Sequence, residues 1–317
     1  MAVNAARNTA QVATGLPQEQ TRHRSRLEQS QAKLAWIMLL PTLLALALVA
    51  FYPLISTFFY SLTNARLASN RPTRFIGLQN FQDLLSDTDF VHSIGTTVRF
   101  TLITVVFEFL LGMIVALVIN SNFKGRGAMR AIMLVPWAIP TAVSTQMWKW
   151  MYNQVYGVFN DLLVTRTHFL NSPVAWVAQA NTSLPAICAV DIWKTTPFVA
   201  LLLLAGLQVV PSEVYEAARV DGASAVRQFF AITLPLLRPA IVVTLIFRTL
   251  DALRVFDVIY VMFGGRADTQ SMVIYNQRTI TEFSQLGYGS AVSVAVFLII
   301  GVFVVIYATV LKVDQQS

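Results

Sequence analysis

Six stretches of this chain are too apolar, for too long, to be left in water. They run from Leu34 to about Leu62, then over about 98–119, 131–151, 184–207, 240–262 and 290–311. A helix needs roughly 20 mostly apolar residues to cross a bilayer's hydrocarbon. Inside that hydrocarbon every backbone N–H and C=O must be satisfied within the protein. A helix meets this condition within one segment. Barrel strands would instead read as short alternating segments. The predicted fold class is therefore all-α, a polytopic membrane protein with six transmembrane helices. Composition agrees, with 56% hydrophobic and 12% charged residues, where soluble domains average about 45–50% and about 25%. That balance excludes a disordered chain, a collagen or a nucleic-acid arm, and argues against a soluble enzyme.

The first run is longer than the apolar core of a cleavable signal, and no small-residue cleavage site follows it. It reads as an uncleaved membrane helix. The third ends in Trp148, Trp150 and Tyr152, residues suited to a membrane interface. Pro41, Pro136, Pro140 and Pro197 fall in or near spans, where neighbouring helices can satisfy the freed carbonyls.

Orientation follows from Lys and Arg. One side would carry Arg7, Arg22, Arg24, Arg26, Lys33, Lys124, Arg126, Arg130, Arg219, Arg227, Arg238 and Lys312. The other would carry Arg66, Arg71, Arg74, Arg99, Arg166, Arg266 and Arg278. The positive-inside rule then places both termini, and the loop between spans four and five, in the cytoplasm of a multi-pass cell-membrane protein. Two parts are expected: a basic cytoplasmic tail over 1–33, near anionic lipid heads, and a six-span membrane body over 34–317.

Soluble chemistry finds little support. Cys188 is the only cysteine, so no intrachain disulfide can form. His23, His92 and His168 share no metal-ligand spacing, so no metal is expected. No Gly-rich phosphate loop is present. If ATP drives this protein, another chain must bind it.

Residues 208–239 are the most informative. Pro211 can open a helix, with Glu213 and Glu216 near its positive end. Val214, Ala217, Ala218 and Val220 give it a small-residue surface. Gly222 can end it in the left-handed conformation, and Ser224 can cap a second short helix. Ala225, Phe229, Phe230 and Ile232 give that second helix an apolar face. Pro235 is expected to break it, and Pro239 to open the fifth span. The object predicted is a helix–turn–helix across the cytoplasmic face, shaped to dock into a partner's groove.

These residues resemble a known family. Glu216, Ala217 and Ala218, then Gly222, then Ile232, Leu234 and Pro235 reproduce the EAA loop of ABC importer permeases. Further segments are similar to the carbohydrate-uptake branch, the maltose, lactose and glycerol-phosphate type. They are Phe51-Tyr52-Pro53, Phe75-Ile76-Gly77-Leu78-Gln79-Asn80-Phe81, and Arg248-Thr249-Leu250-Asp251 with Phe256-Asp257. Trp193 to Phe198 and Thr249 to Ala252 look most like the first permease of mycobacterial trehalose importers. The resemblance implies a type I ABC importer permease fold whose EAA loop is a coupling helix seated on a cytoplasmic ATPase. It implies further partners: a second homologous permease, two copies of the ATPase, an extracytoplasmic sugar-binding protein, the sugar and membrane lipid, with no nucleic acid. ATP would be hydrolysed by the partner, and this chain would hold no cofactor and do no catalysis.

Ionisable groups inside spans are costly and usually face a bundle interior or a cavity. Glu108, Asp191, Lys194, Arg248, Asp251, Arg254 and Asp257 are such groups. Asp191 and Lys194, and the series from Arg248 to Asp257, recur every three residues, so an i,i+3 ladder of opposite charges is expected. Two readings stand open, a polar translocation path for sugar hydroxyls or a lattice of structural ion pairs. Trp193, Phe198, Phe247 and Tyr260 are available as aromatic faces. The candidate path comprises Asp191, Trp193, Lys194, Arg248, Asp251, Arg254 and Asp257. The expected substrate is a disaccharide such as trehalose or maltose. Alternatives are glycerol-3-phosphate, an intramembrane sugar-transfer enzyme, a scaffold or an exporter. The enzyme would need paired carboxylates, and Asp251 and Asp257 are flanked by arginines.

Overall fold

A computed structural model describes residues 26–310. Arg7, Arg22, His23 and Arg24 of the basic tail, and Lys312, lie outside the described residues. No β-strand occurs among the described residues, only an isolated antiparallel bridge between Thr63 and Phe75.

Two units divide after Ser56. The first holds α1 (Arg26–Leu46), a π-helical turn (Ala47–Phe51) and the start of α2 (Tyr52–Ser61). Helix α1 already covers Arg26 to Lys33, inside the segment expected to be tail. Pro53 has no N–H for the carbonyl four residues back, and the backbone widens into the π turn just ahead of it.

The second unit starts at Thr57. The Asn80 amide donates to the carbonyls of Ser61 (2.8 Å) and Thr63 (2.9 Å), satisfying the end of α2. Asn80 lies in α3 (Gln79–Ser86), and α4 (Thr88–Asn120) follows. Asp87 caps α4 by accepting from the N–H groups of Asp89 and Phe90. At about 1.5 Å per residue, the 33 residues of α4 outrun the bilayer's hydrocarbon. Next come α5 (Arg126–Ala138) and α6 (Thr141–Met151), bent by 88° at Ile139-Pro140. Ile139 is extended (φ −69°, ψ 133°), as a residue before proline prefers. After α7 (Val158–Asn160) and a π turn (Asp161–Arg166) comes α8 (Ala180–Leu207).

The remaining elements are α9 (Ser212–Val220), α10 (Ala225–Gln228), a π turn (Phe229–Thr233), α11 (Leu234–Leu236), α12 (Arg238–Leu253), α13 (Asp257–Phe263), α14 (Met272–Thr281) and α15 (Leu286–Val310). Pro235 lies inside α11 and does not break the helix, contrary to expectation. The π turn before it pairs the N–H of Leu234 with the carbonyl of Phe229, a wider spacing that absorbs proline's missing donor. The chain bends instead at Leu237, by 68°, and Pro239 opens α12.

Among the described residues, four helices can cross a membrane by length and composition: Lys33–Ser61, Thr88–Asn120, Ala180–Leu207 and Leu286–Tyr307. The two bent pairs raise the number to six if each counts as one crossing. Helices inside lipid associate through close contact at small residues. A Cβ on Gly112 of α4 would lie 2.6 Å from Val199 of α8, and one on Gly206 would lie 2.4 Å from Ala240 of α12. Apolar clusters flank these crossings, one around Phe100, Ile187, Val190 and Ile259, the other around Met113, Ile119, Leu203 and Leu237.

Candidate functional site

Between the two apolar clusters lies a knot of charge. Arg248 of α12 is 2% exposed and Glu108 of α4 is fully buried. The guanidinium meets Glu108 side-on, Nε on Oε2 and Nη2 on Oε1. Its Nη2 also donates to Asp191 of α8, and Nη1 to Asp251 at 2.6 Å. One side chain thus ties three helices through a planar fork of donors suited to carboxylates. Breaking a buried pair strands a charge and costs about 3–5 kcal/mol.

Lys194, one turn beyond Asp191, has a different task. Its ammonium donates to the carbonyls of Ile139 (2.5 Å), Pro136 and Trp137 (both 3.5 Å). These carbonyls end α5 at the proline break, where no following turn can supply N–H groups. A cation there also suits the negative end of the helix.

Break and knot together border a cavity of about 600 Å³. Asp191, Lys194, Arg248, Asp251, Arg254 and Asp257 line it, with Trp137, Phe198, Phe247 and Phe256 as aromatic walls and Thr141 and Thr195 as hydroxyls. The Asp251 side chain is 76% exposed, so this carboxylate has room for a ligand.

Six of the seven residues named for the path therefore share one cavity. Trp193 does not line it. It sits about 200° around α8 from Asp191 at about 100° per residue, and packs edge-on to Trp148 at 5.6 Å. Tyr260 stacks on Phe256 and is likewise not in the lining. The i,i+3 ladder stops at its first link, Arg248–Asp251. Helix α12 ends at Leu253 with Arg254 as its C-cap (φ −103°, ψ 18°), so Arg254 and Asp257 never share a helical face. Lys194 pairs with backbone rather than with Asp191. The candidate path omits Glu108, the most buried partner of Arg248, and Trp137. Glu108 was visible as a charge in a span, and Trp137 as an aromatic three residues before a mid-span proline.

The 208–239 loop has the predicted helix–turn–helix form. Gly222 is left-handed (φ 75°). The N–H of Ala223 bonds Ala218 O at 2.9 Å and that of Gly222 bonds Arg219 O at 3.1 Å, the paired closure of a Schellman end. Ser224 caps α10 through the N–H of Arg227. Tyr215 and Thr233 join hydroxyls at 3.0 Å, tying α9 to the π turn. Glu216, Ala217 and Pro235 are exposed, while Ala218, Ile232 and Leu234 are half-buried. Val220 (89% exposed), Val226 and Phe230 leave apolar surface open.

A polar cavity at a helix break inside an apolar bundle, with an exposed helical hairpin in the same chain, suits a membrane permease. Residues 108–313 match the binding-protein-dependent transport system inner membrane component family, and the chain belongs to it. It is 42% identical over 291 residues to the trehalose/maltose transport system permease protein MalF of Thermococcus litoralis, covering 90% of this chain and 96% of that one. It is 37% identical to the trehalose transport system permease protein SugA of Mycobacterium tuberculosis, over 88% of both chains. The sulfoquinovosyl glycerol permease SmoG of Agrobacterium fabrum is 38% identical over 90% of this chain and 92% of its own. The carbohydrate-branch resemblance holds. The fold matches a chain of a bacterial alginate ABC transporter, solved with an alginate pentasaccharide-bound periplasmic protein. The TM-score is 0.80 at 22% identity, over 93% of this chain and 99% of that one.

Proposed function

We propose that this chain is the membrane-spanning permease subunit of an ATP-driven sugar importer and forms half of its translocation path. The substrate is a disaccharide of the trehalose or maltose type. The observation that carries this reading is the cavity at the Ile139-Pro140 break, which sets aromatic faces beside carboxyls, cations and hydroxyls. A neutral sugar asks for just that mixture, apolar walls for its C–H faces and a few polar groups for its hydroxyls. Glycerol-3-phosphate fits less well, because it has no sugar ring to lay on the aromatic walls, and three cations balanced by three carboxyls give its phosphate no net attraction.

Each bent pair makes one crossing, giving six spans, with both termini and the 208–239 loop cytoplasmic and a basic tail over 1–33 ahead of the permease body, 34–317. In the loop, Glu216 makes the polar contact to the ATPase, with Ala217 and Ala218 as the close-packing surface. Gly222 makes the turn, and Ile232, Leu234 and Pro235 form the exit into α12. Two ATPase copies hydrolyse ATP, a second permease completes the path, and an extracytoplasmic sugar-binding protein delivers substrate. This chain performs no catalysis. Coupling requires that the partners bind its two states with different affinity.

The test is purification of the tagged chain from its own membranes. A second permease and an ATPase should co-purify, and sugar-loaded binding protein should stimulate ATP hydrolysis. A chain that purifies alone, with no associated ATPase, would count against the assembly.

A further inference from the structure

The indole of Trp137 is unusually placed. It lies near the end of α5, three residues before the break at Pro140. One ring face is covered by Phe198, nearly parallel at 15° with centroids 5.7 Å apart. Yet Trp137 is 48% exposed and lines the cavity. Lys194 holds the backbone beneath it by taking the carbonyls of Trp137 and Ile139. The result is a rigid aromatic plate with a free area, fixed at both backbone and ring.

A pyranose ring has a patch of C–H groups on one face and hydroxyls around its rim. Such C–H groups carry partial positive charge and are drawn to the negative face of an aromatic ring. The rim would then find Asp251 and Arg254, which line the same cavity. From this geometry we infer that Trp137 is the stacking platform for one pyranose ring of the substrate. It thereby selects cyclic glycosides over linear polyols. This inference rests on the sugar-permease reading.

The test is labelled trehalose and maltose uptake by the assembled transporter, with Trp137→Leu and Trp137→Phe variants of this chain. Trp137→Leu should lower uptake at saturating sugar about tenfold, the equivalent of about 1.4 kcal/mol, with membrane abundance and the ATP hydrolysis stimulated by sugar-loaded binding protein close to wild type. Trp137→Phe should lower it less. If the leucine variant does not reach the membrane, Trp137→Met, a flexible filler of similar reach, is read in the same way. Unchanged uptake by an inserted non-aromatic variant would overturn the platform while leaving the permease reading intact. Absence of sugar uptake by the wild-type transporter would instead remove the permease reading itself.

Discussion

Arg248 and Glu108 meet side-on across 140 residues of sequence, both shut away from solvent. Their pairing joins α12 to α4, and Asp191 draws α8 into the same knot. The polar wall of the cavity is held in place by groups behind it. Glu108 thus belongs to a buried lattice of ion pairs, while Asp251 also faces the cavity.

Removing the guanidinium should be costly. Arg248→Met leaves Glu108 and Asp191 buried without their partner, and a loss of about 3–5 kcal/mol is expected. The measurement is the melting temperature of the detergent-solubilised complex. Adding Glu108→Leu should restore part of the loss. A single variant that melts like wild type would contradict the bracing role.

The α4–α8 crossing should reject bulk. Gly112→Val places its Cβ where Val199 Cγ1 is 2.6 Å away and the Ala200 backbone nitrogen 3.2 Å away. Overpacking of this kind costs about 1–3 kcal/mol. Lower protein yield in the membrane and a lower melting temperature are expected. Gly301, with open space at its Cβ position, should accept alanine without effect.

The α4 cap should be acid-sensitive. Tyr275 and Tyr288 both donate to Asp87 Oδ2, at 2.6 and 2.8 Å. Burial pushes the Asp87 carboxyl up, but these hydroxyls and the N–H groups of Phe90 and Asp89 outweigh it and hold it below its ordinary 3.8. Burial, then the bond to Asp87, pushes the Tyr275 hydroxyl up to about 12, so it stays a donor at neutral pH. A lowered carboxyl stabilises the fold above its ordinary value and loses that contribution as pH falls through the lowered one. Asp87→Asn should therefore lower the melting temperature at pH 7, and the gap should narrow below pH 3.8. A gap independent of pH would rule out the carboxylate's role.

Coupling should fail without loss of the protein. Gly222→Pro cannot adopt φ 75°, and Glu216→Ala removes one of the two exposed carboxylates of α9. Both variants should reach the membrane normally yet retain less ATPase on purification and import less sugar. Normal uptake by both would sink the coupling role of the loop.

What could be read in advance follows the range of the interactions. Apolar runs report spans because lipid acts on each segment separately, and the hairpin around Gly222 is legible because its closure is local. The charge knot is not, because Glu108, Asp191 and Arg248 meet through the packing of three helices. Periodicity alone joined Arg248 to Asp257 in one ladder. It could not see that α12 ends at Leu253, with Arg254 already outside it. Spacing alone offers Asp191 to Lys194, because the orphaned carbonyls that claim the ammonium appear only once Pro140 turns the chain through 88°.

The most direct test of the central claim is uptake of labelled trehalose, maltose and glycerol-3-phosphate by a strain lacking this chain, with and without its restoration. The account predicts loss and rescue for a disaccharide, with glycerol-3-phosphate unaffected. Unchanged uptake of both disaccharides, with the restored protein present in the membrane, would contradict it.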